Sequence, residues 1–283
     1  MLLSSVMAEA SAPASSANLG PGYDCLALAL EVRCTVVATP APRWESVHDT
    51  TVVPGEDAVL AAAQAAVGVD RPLRLETISG VPIGKGLGSS AAALVASAAA
   101  ALRAFGEDAR PDRVFGIASR LEGHPDNVAA AVYGGLILIP PEGSPLRIPL
   151  HPGLQPVVGV PSGVLATEQA RRVIPTSFDT PTVVRSLGRV AALVAGLISG
   201  DETVLRSAHG DEIHEAPRGE IDPAVPAGIA VARGAGAVHA YRSGAGPAVV
   251  ALTGPDHIEA VSTALAAAGY QVLQPSIATT GLI

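Results

Sequence analysis

The segment Gly84–Ala92 reads GKGLGSSAA, three alternating glycines followed by two serines at the start of an alanine-rich stretch. A phosphate needs donors around its charge, and successive backbone N–H groups at a helix start supply them together with the positive end of the helix dipole. Gly84, Gly86 and Gly88 let the backbone come close. Ser89 and Ser90 add hydroxyls suited to capping, to a phosphate oxygen or to a magnesium ion. Lys85, the single lysine among 18 basic residues, also sits here. Its place is suggestive, although an arginine-biased chain could keep one lysine anywhere.

Spacing separates the readings of this loop. The Walker form requires four residues between a glycine and a GK pair that serine or threonine follows, whereas Gly86 follows Lys85. The dinucleotide fingerprint requires a third glycine three residues after the second and an acid about 20 residues on; here the third comes two after, and alanines follow. The pattern PxxxGLGSSAA is matched by Pro82–Ala92 without a break. A flexible turn before an alanine helix is the bland alternative.

The elements around the loop read as strand, loop and helix. PLRLETI (72–78) predicts a strand, and the alanine-rich run after the loop predicts a helix ending near Gly106. Upstream, ASSANLGPGYD (14–24) reads as a turn-rich loop before a strand over EVRCTVVAT (31–39). Pro111 starts a helix to about Gly123, HPDNVAAAVYGG reads as a turn and a short helix, and GLILIP as a strand. The proline- and glycine-rich stretch 140–156 marks a boundary, which gives residues 1–150 as a nucleotide-binding unit and 151–283 as a second. In the second, PVVGVP is a strand, Thr180–Pro181 caps a helix to about Gly200, and Asp201 begins another. AVHAY and PAVVALT pair around SGAGP, a helix covers 255–268, and YQVLQ is a last strand. The order β, α, β, β, α, β is the split ferredoxin-like arrangement.

Composition narrows the function classes. Hydrophobic residues make up 48% and charged residues 16%, with mean hydropathy +0.39, which excludes a disordered or fibrous chain. The most apolar stretches, around Ala91–Leu102 and Val190–Ile198, fall short of the roughly 20 residues a span requires and read as buried helices. The patch within residues 1–14 lacks the basic start of a signal segment, so the expected location is the cytoplasm. A net charge of −8 with scattered basic residues points to a small ligand and away from nucleic acid or a membrane. Cys25 and Cys34 read as two reduced, buried thiols. His209 and His214 stand five apart, where a helical zinc pair requires four, and read as surface histidines.

PIGKGLGSSAA (82–92) resembles the second motif of the GHMP kinases, the family of galactokinase, homoserine kinase, mevalonate kinase and phosphomevalonate kinase. ASSANLGPGYD and SGAGPAVVAL (243–252) resemble its first and third motifs, in order, and with EGHPDNVAAAVYGGL (122–136) the wording is most similar to the homoserine kinases. The resemblance spans nearly the whole chain. It implies an α+β, two-domain fold, with an N-terminal domain like ribosomal protein S5 and a C-terminal ferredoxin-like domain. It implies ATP-dependent phosphorylation of the hydroxyl of L-homoserine in threonine biosynthesis, with a homodimer as the oligomer.

The family pattern assigns ATP to Pro82, Ile83, Gly84, Lys85, Gly86, Leu87, Gly88, Ser89, Ser90, Ala91 and Ala92, and magnesium to Ser90 and Glu122. It assigns the amino acid to Asn18, Asp24, His124, Asn127, Arg171 and Arg218, and catalysis to Asp126 and Asn127. Asp126 is the base in some relatives, whereas homoserine kinases are thought to let the phosphate itself take the proton. The usual GFDxLGLAL reads GYDCLALAL here, with Tyr23 and Ala27 at the changed positions, and GEDAV with Asp57 replaces an asparagine near the adenine pocket. Two other readings remain: a kinase for another small alcohol, mevalonate- or shikimate-like, and a non-catalytic ligand sensor on the same fold.

Overall fold

The computed structural model describes residues 6–48, 51–52, 57–163, 165 and 167–283. Two sheets divide the chain. The first holds β1 (Ala8–Ala17), β2 (Leu26–Pro40), β3 (Glu45–His48), β4 (Thr51–Val52), β5 (Leu73–Ser79), β6 (Leu136–Leu138) and β7 (Leu146–Ile148). β2 is its hub: β1 runs antiparallel along one edge, and the other edge takes β6 at Leu26–Leu28 and β5 at Cys34–Pro40. The register of β1 slips between Pro13 and Ala14, where proline has no N–H for the ladder.

Four helices belong to this sheet: α1 (Ala58–Val67), α2 (Ser89–Ala104), α3 (Pro111–Glu122) and α4 (Asp126–Tyr133). α2 is central, packed against β1, β2, α1 and α3. Its alanines let these neighbours approach closely, and its one buried hydroxyl, Ser97, donates to the Val59 carbonyl at 2.6 Å. The core helix therefore fixes its N-terminus rigidly.

The second sheet holds β8 (Gln155–Val160), β9 (His239–Arg242), β10 (Val249–Thr253) and β11 (Gln271–Leu273), all antiparallel, in the spatial order β11-β8-β10-β9. That is the predicted ferredoxin-like arrangement. Its helices are α5 (Thr167–Arg172), α6 (Thr180–Ser199), α7 (Glu202–Ser207), α8 (Glu215–Ile221), α9 (Ala224–Gly234) and α10 (Ile258–Ala267). Strand alternation sorts β10 between two clusters: Val249 and Ala251 pack with Ile229, Val261 and Leu265, while Val250 and Leu252 join Leu193 and Leu197.

Several expectations are corrected. Residues 14–17 belong to β1, so the turn-rich loop starts at Asn18. α6 is capped by Asp179, which accepts from the Thr182 amide at 2.8 Å, and not by Thr180. The stretch Val190–Ile198 is not a buried helix: α6 is 20 residues long, apolar enough by length and composition to cross a bilayer, and buries only Leu193, Gly196 and Leu197. Arg185 and Arg189 on α6 both pair with Glu212, at 2.6 Å each. His214 is not a surface residue, being fully buried, and His209 is half-buried. Cys34 is buried and Cys25 half-buried, both as free thiols.

The division at residue 150 falls between the two sheets, but the tail returns to the first. Glu31 donates its amide to Ser276 at 2.8 Å, and Ser11 and Ile283 exchange backbone hydrogen bonds at 2.8 and 2.9 Å.

Candidate active site

The three motifs interlock around the glycine loop. Ser15 of β1 donates its amide to the Leu87 carbonyl at 3.1 Å, and Ala248 donates to the Lys85 carbonyl at 3.1 Å. Ser243 Oγ donates to the Gly86 carbonyl at 2.7 Å. The glycines answer this crowding. A Cβ at Gly86 would lie 2.2 Å from the Ser243 carbonyl oxygen, and one at Gly88 would lie 2.1 Å from Ser15 Oγ; both residues have positive φ, 75° and 65°. Gly88 is the N-cap of α2, so the loop delivers its backbone to the start of a 16-residue helix.

A cleft of about 280 Å³ opens at that helix start. The loop lines it with Ile83, Gly84, Gly86, Gly88, Ser89 and Ser90. Pro82 and Leu87 are not in its wall, and Ala91 and Ala92 face the core with no exposure. Lys85 is turned away as well: its ammonium donates to the carbonyls of Pro161, Ser162 and Gly163 at 2.8, 2.8 and 2.5 Å. The lone lysine ties the loop to the end of β8.

Ser90 Oγ donates to Glu122 Oε2 at 2.7 Å, joining the start of α2 to the end of α3. Two hard oxygen donors beside a helix start fit magnesium, which takes one or two protein ligands and leaves its other positions to phosphate and water. Beside them, Asp126 opens α4 and is buried; its Oδ1 accepts from the Asn127 amide at 2.7 Å and lies 3.3 Å from His124 Nδ1. That carboxylate raises the His124 pKa. Asn127 Oδ1 accepts from Ser15 Oγ at 2.8 Å.

The opposite end of the cleft is built from side chains of both domains. Asp24 takes a two-pronged contact from Arg171, at 2.9 and 3.1 Å, and Arg171 also donates to Tyr23 Oη at 3.0 Å. Asn18 is spent on the backbone: its Oδ1 accepts from the Asp24 amide at 3.0 Å and its Nδ2 donates to the Gly244 carbonyl at 3.0 Å. Asn18, Leu19 and Asp24 all hold positive φ, a concentration of strain that marks functional loops. Arg218 is buried in the wall, where loss of water pulls its pKa down.

A profile of the GHMP kinases N terminal domain matches residues 56–135, and one of the GHMP kinases C terminal region matches residues 193–271. The chain is 36% identical over 251 residues to a homoserine kinase of Moorella thermoacetica, covering 84% of this chain and 85% of the relative. The chain belongs to the GHMP kinase family. A homoserine kinase of Gloeobacter violaceus is 38% identical over 270 residues, 90% of each chain. Among solved structures, a homoserine kinase from Cytophaga hutchinsonii superposes with a TM-score of 0.87 at 25% identity, covering 98% of this chain and 96% of that one.

In this GHMP kinase the cleft gathers Asn18, Asp24, His124, Asp126, Asn127, Arg171 and Arg218 from four separate segments, together with Ser90 and Glu122. Sequence reasoning missed Thr167, Leu165 and Gly244–Gly246 in the same wall. The SGAGP motif signalled the last of these, while nothing marked the others. Asp57, offered for the adenine pocket, instead caps α1: Oδ1 accepts from the Leu60 amide at 2.7 Å and Oδ2 from Ser46 Oγ at 2.7 Å. Gly55 and Glu56 of the same GEDAV run lie outside the described residues.

Proposed function

We propose that the protein transfers the γ-phosphoryl group of ATP to the side-chain hydroxyl of L-homoserine, giving O-phospho-L-homoserine for threonine biosynthesis. The observation that carries this reading is the polarity of the cleft. One end is a helix start with small residues and the Ser90–Glu122 pair; the other is an acid flanked by two arginines. Homoserine bears an ammonium and a carboxylate at one end and a hydroxyl at the other, and the two ends of the cleft match that division. The homoserine kinases among the relatives point the same way.

Loop amides and the α2 dipole hold the phosphates, and Ser90 and Glu122 hold the magnesium that offsets their charge. Arg171 and Arg218 take the substrate carboxylate, and Asp24 faces its ammonium. The substrate oxygen bonds to the γ-phosphorus as the bond to the bridging oxygen of ADP breaks. Asp126 Oδ2, which has no protein partner among the described residues, takes the hydroxyl proton.

Coupled ADP release with L-homoserine, ATP and magnesium, against L-serine, mevalonate and shikimate, tests the substrate. Turnover of mevalonate or shikimate with none of homoserine overturns it, and nucleotide binding without ADP release on any of them restores the sensor reading. Asp126→Asn tests the base: a fall of about 10²-fold or more in kcat is expected. Retention of most activity would leave the phosphate itself as proton acceptor.

A further inference from the structure

Arg218 is held by a residue that does not line the cleft. Its Nε donates to the Ala170 carbonyl at 3.0 Å, and its Nη1 donates to the Gly244 carbonyl at 3.1 Å and to His214 Nδ1 at 2.8 Å. Nη2 is the one guanidinium nitrogen of Arg218 with no protein partner among the described residues, in a side chain that lines the cleft.

The tautomer of His214 follows from this contact. A guanidinium has no acceptor, so Nδ1 carries the lone pair, and Nε2 carries the hydrogen that it donates to the Gly20 carbonyl at 2.7 Å. The ring is fully buried, and burial holds its pKa down at about 4, so it stays neutral. Asp211 Oδ2 accepts from the His214 backbone amide at 2.7 Å and lies 3.6 Å from its Nε2. The opposite constraint is Tyr23, stacked on the imidazole with centroids 5.0 Å apart and planes 26° apart. Each degree of freedom of the ring has a named restraint.

We propose that His214 is a positioning residue for substrate recognition: it fixes the plane of Arg218 so that Nη2 meets the substrate carboxylate, and through Gly20 it locks the first-motif loop to the same guanidinium. This rests on the reading of the cleft as an amino-acid site. One buried imidazole thereby joins β1's following loop in the first domain to α8 in the second. His214 stands at the N-cap of α8 and Arg218 four residues on, so the helix presents both on one side.

His214→Phe keeps ring size and the Tyr23 stack but removes both hydrogen bonds. It is expected to raise KM for L-homoserine about 10- to 100-fold, the worth of a hydrogen bond to a charged group, with KM for ATP unchanged. His214→Gln restores an acceptor and a donor and is expected to recover most of the loss. The discriminating probe is 3-amino-1-propanol, which is homoserine without its carboxylate. Its inhibition constant should be equal in wild type and in both variants, because Arg218 has nothing to hold. An unchanged KM for homoserine in His214→Phe overturns the proposal, and so does equal weakening of homoserine and aminopropanol. If His214→Phe does not fold, His214→Asn, whose shorter side chain cannot span both Arg218 and Gly20, takes its place: equal weakening of homoserine and aminopropanol, or an unchanged KM for homoserine, overturns the proposal, and weakening of homoserine alone sustains it. A wild-type protein that turns over no homoserine refutes the substrate instead.

Discussion

The two ends of the cleft are made by different means. The glycine-loop end, proposed above for the phosphates, uses backbone amides, three glycines and one Ser90–Glu122 contact, all from a contiguous loop and the helices beside it. The opposite end, proposed above for the amino acid, uses ionic side chains from both domains, each oriented by another side chain: Asp24 by Arg171, Arg171 by Tyr23, Arg218 by His214. A phosphate is recognised by shape and charge that every residue's N–H can answer, whereas a zwitterion needs side chains of both signs brought to one place. The first task is solved by local geometry and the second by tertiary structure.

The largest test of that contrast is steric. Gly86→Val puts branched carbons where the Ser243 carbonyl already stands, at a positive φ, and is expected to cost about 2 to 6 kcal/mol, read as a lowered melting temperature with loss of ATP binding. Next comes a kinetic split. Glu122→Gln should lower kcat about 10²-fold with little change in KM for homoserine, as the loss of charge compensation at the transferring phosphate. Arg171→Met should raise KM for homoserine about 10- to 100-fold while KM for ATP stays put. A variant at one end that moves both constants would blur the division.

Acid should weaken the fold around the side-chain-built end through buried histidines: His214 and, in β9, His239, whose Nε2 meets the Leu19 carbonyl at 2.8 Å. Burial lowers His214 to about 4 and His239 to about 3, from 6.5. The unfolded chain therefore gains protons first as pH falls below 6.5, and this stability is lost on the way down to pH 4. Glu215 has the opposite sign: burial raises it to about 7, so its contribution is present below 4.5 and lost as pH rises to 7. With half-buried His209, also lowered to about 4, three histidines outweigh one acid, and the melting temperature should fall between pH 6.5 and 4.5, at roughly 2 kcal/mol per pH unit net. A flat profile over that range would contradict neutral burial of His214 and His239. The smallest effect belongs to Lys85→Met, expected to cost about 1 kcal/mol of stability, with kcat changed less than about threefold. A collapse of ATP affinity there would return the lysine to the phosphates.

The same division explains what the sequence made readable. The loop, α2 and the ferredoxin-like order follow from glycine spacing, alanine runs and strand alternation, all local signals. Asp24 and Arg171 were legible through family motifs, 147 positions apart and invisible to any window. His214 was not, because burial of a histidine is decided by Gly20, Tyr23 and Arg218, which come from elsewhere in the chain. Lys85 misled for the same reason: three carbonyls after β8 satisfy it. The exposed length of α6 escaped notice because an apolar stretch carries no mark of what covers it.

The return of residues 276–283 to β1 and β2 gives the two domains two covalent crossings, one between β7 and β8 and one after β11. A body hung from a single linker can swivel about many axes; one held by two strands rotates freely only about the line through both. Two junctions therefore restrict the second domain against the first, and Arg171 and Arg218 keep their register with the glycine loop.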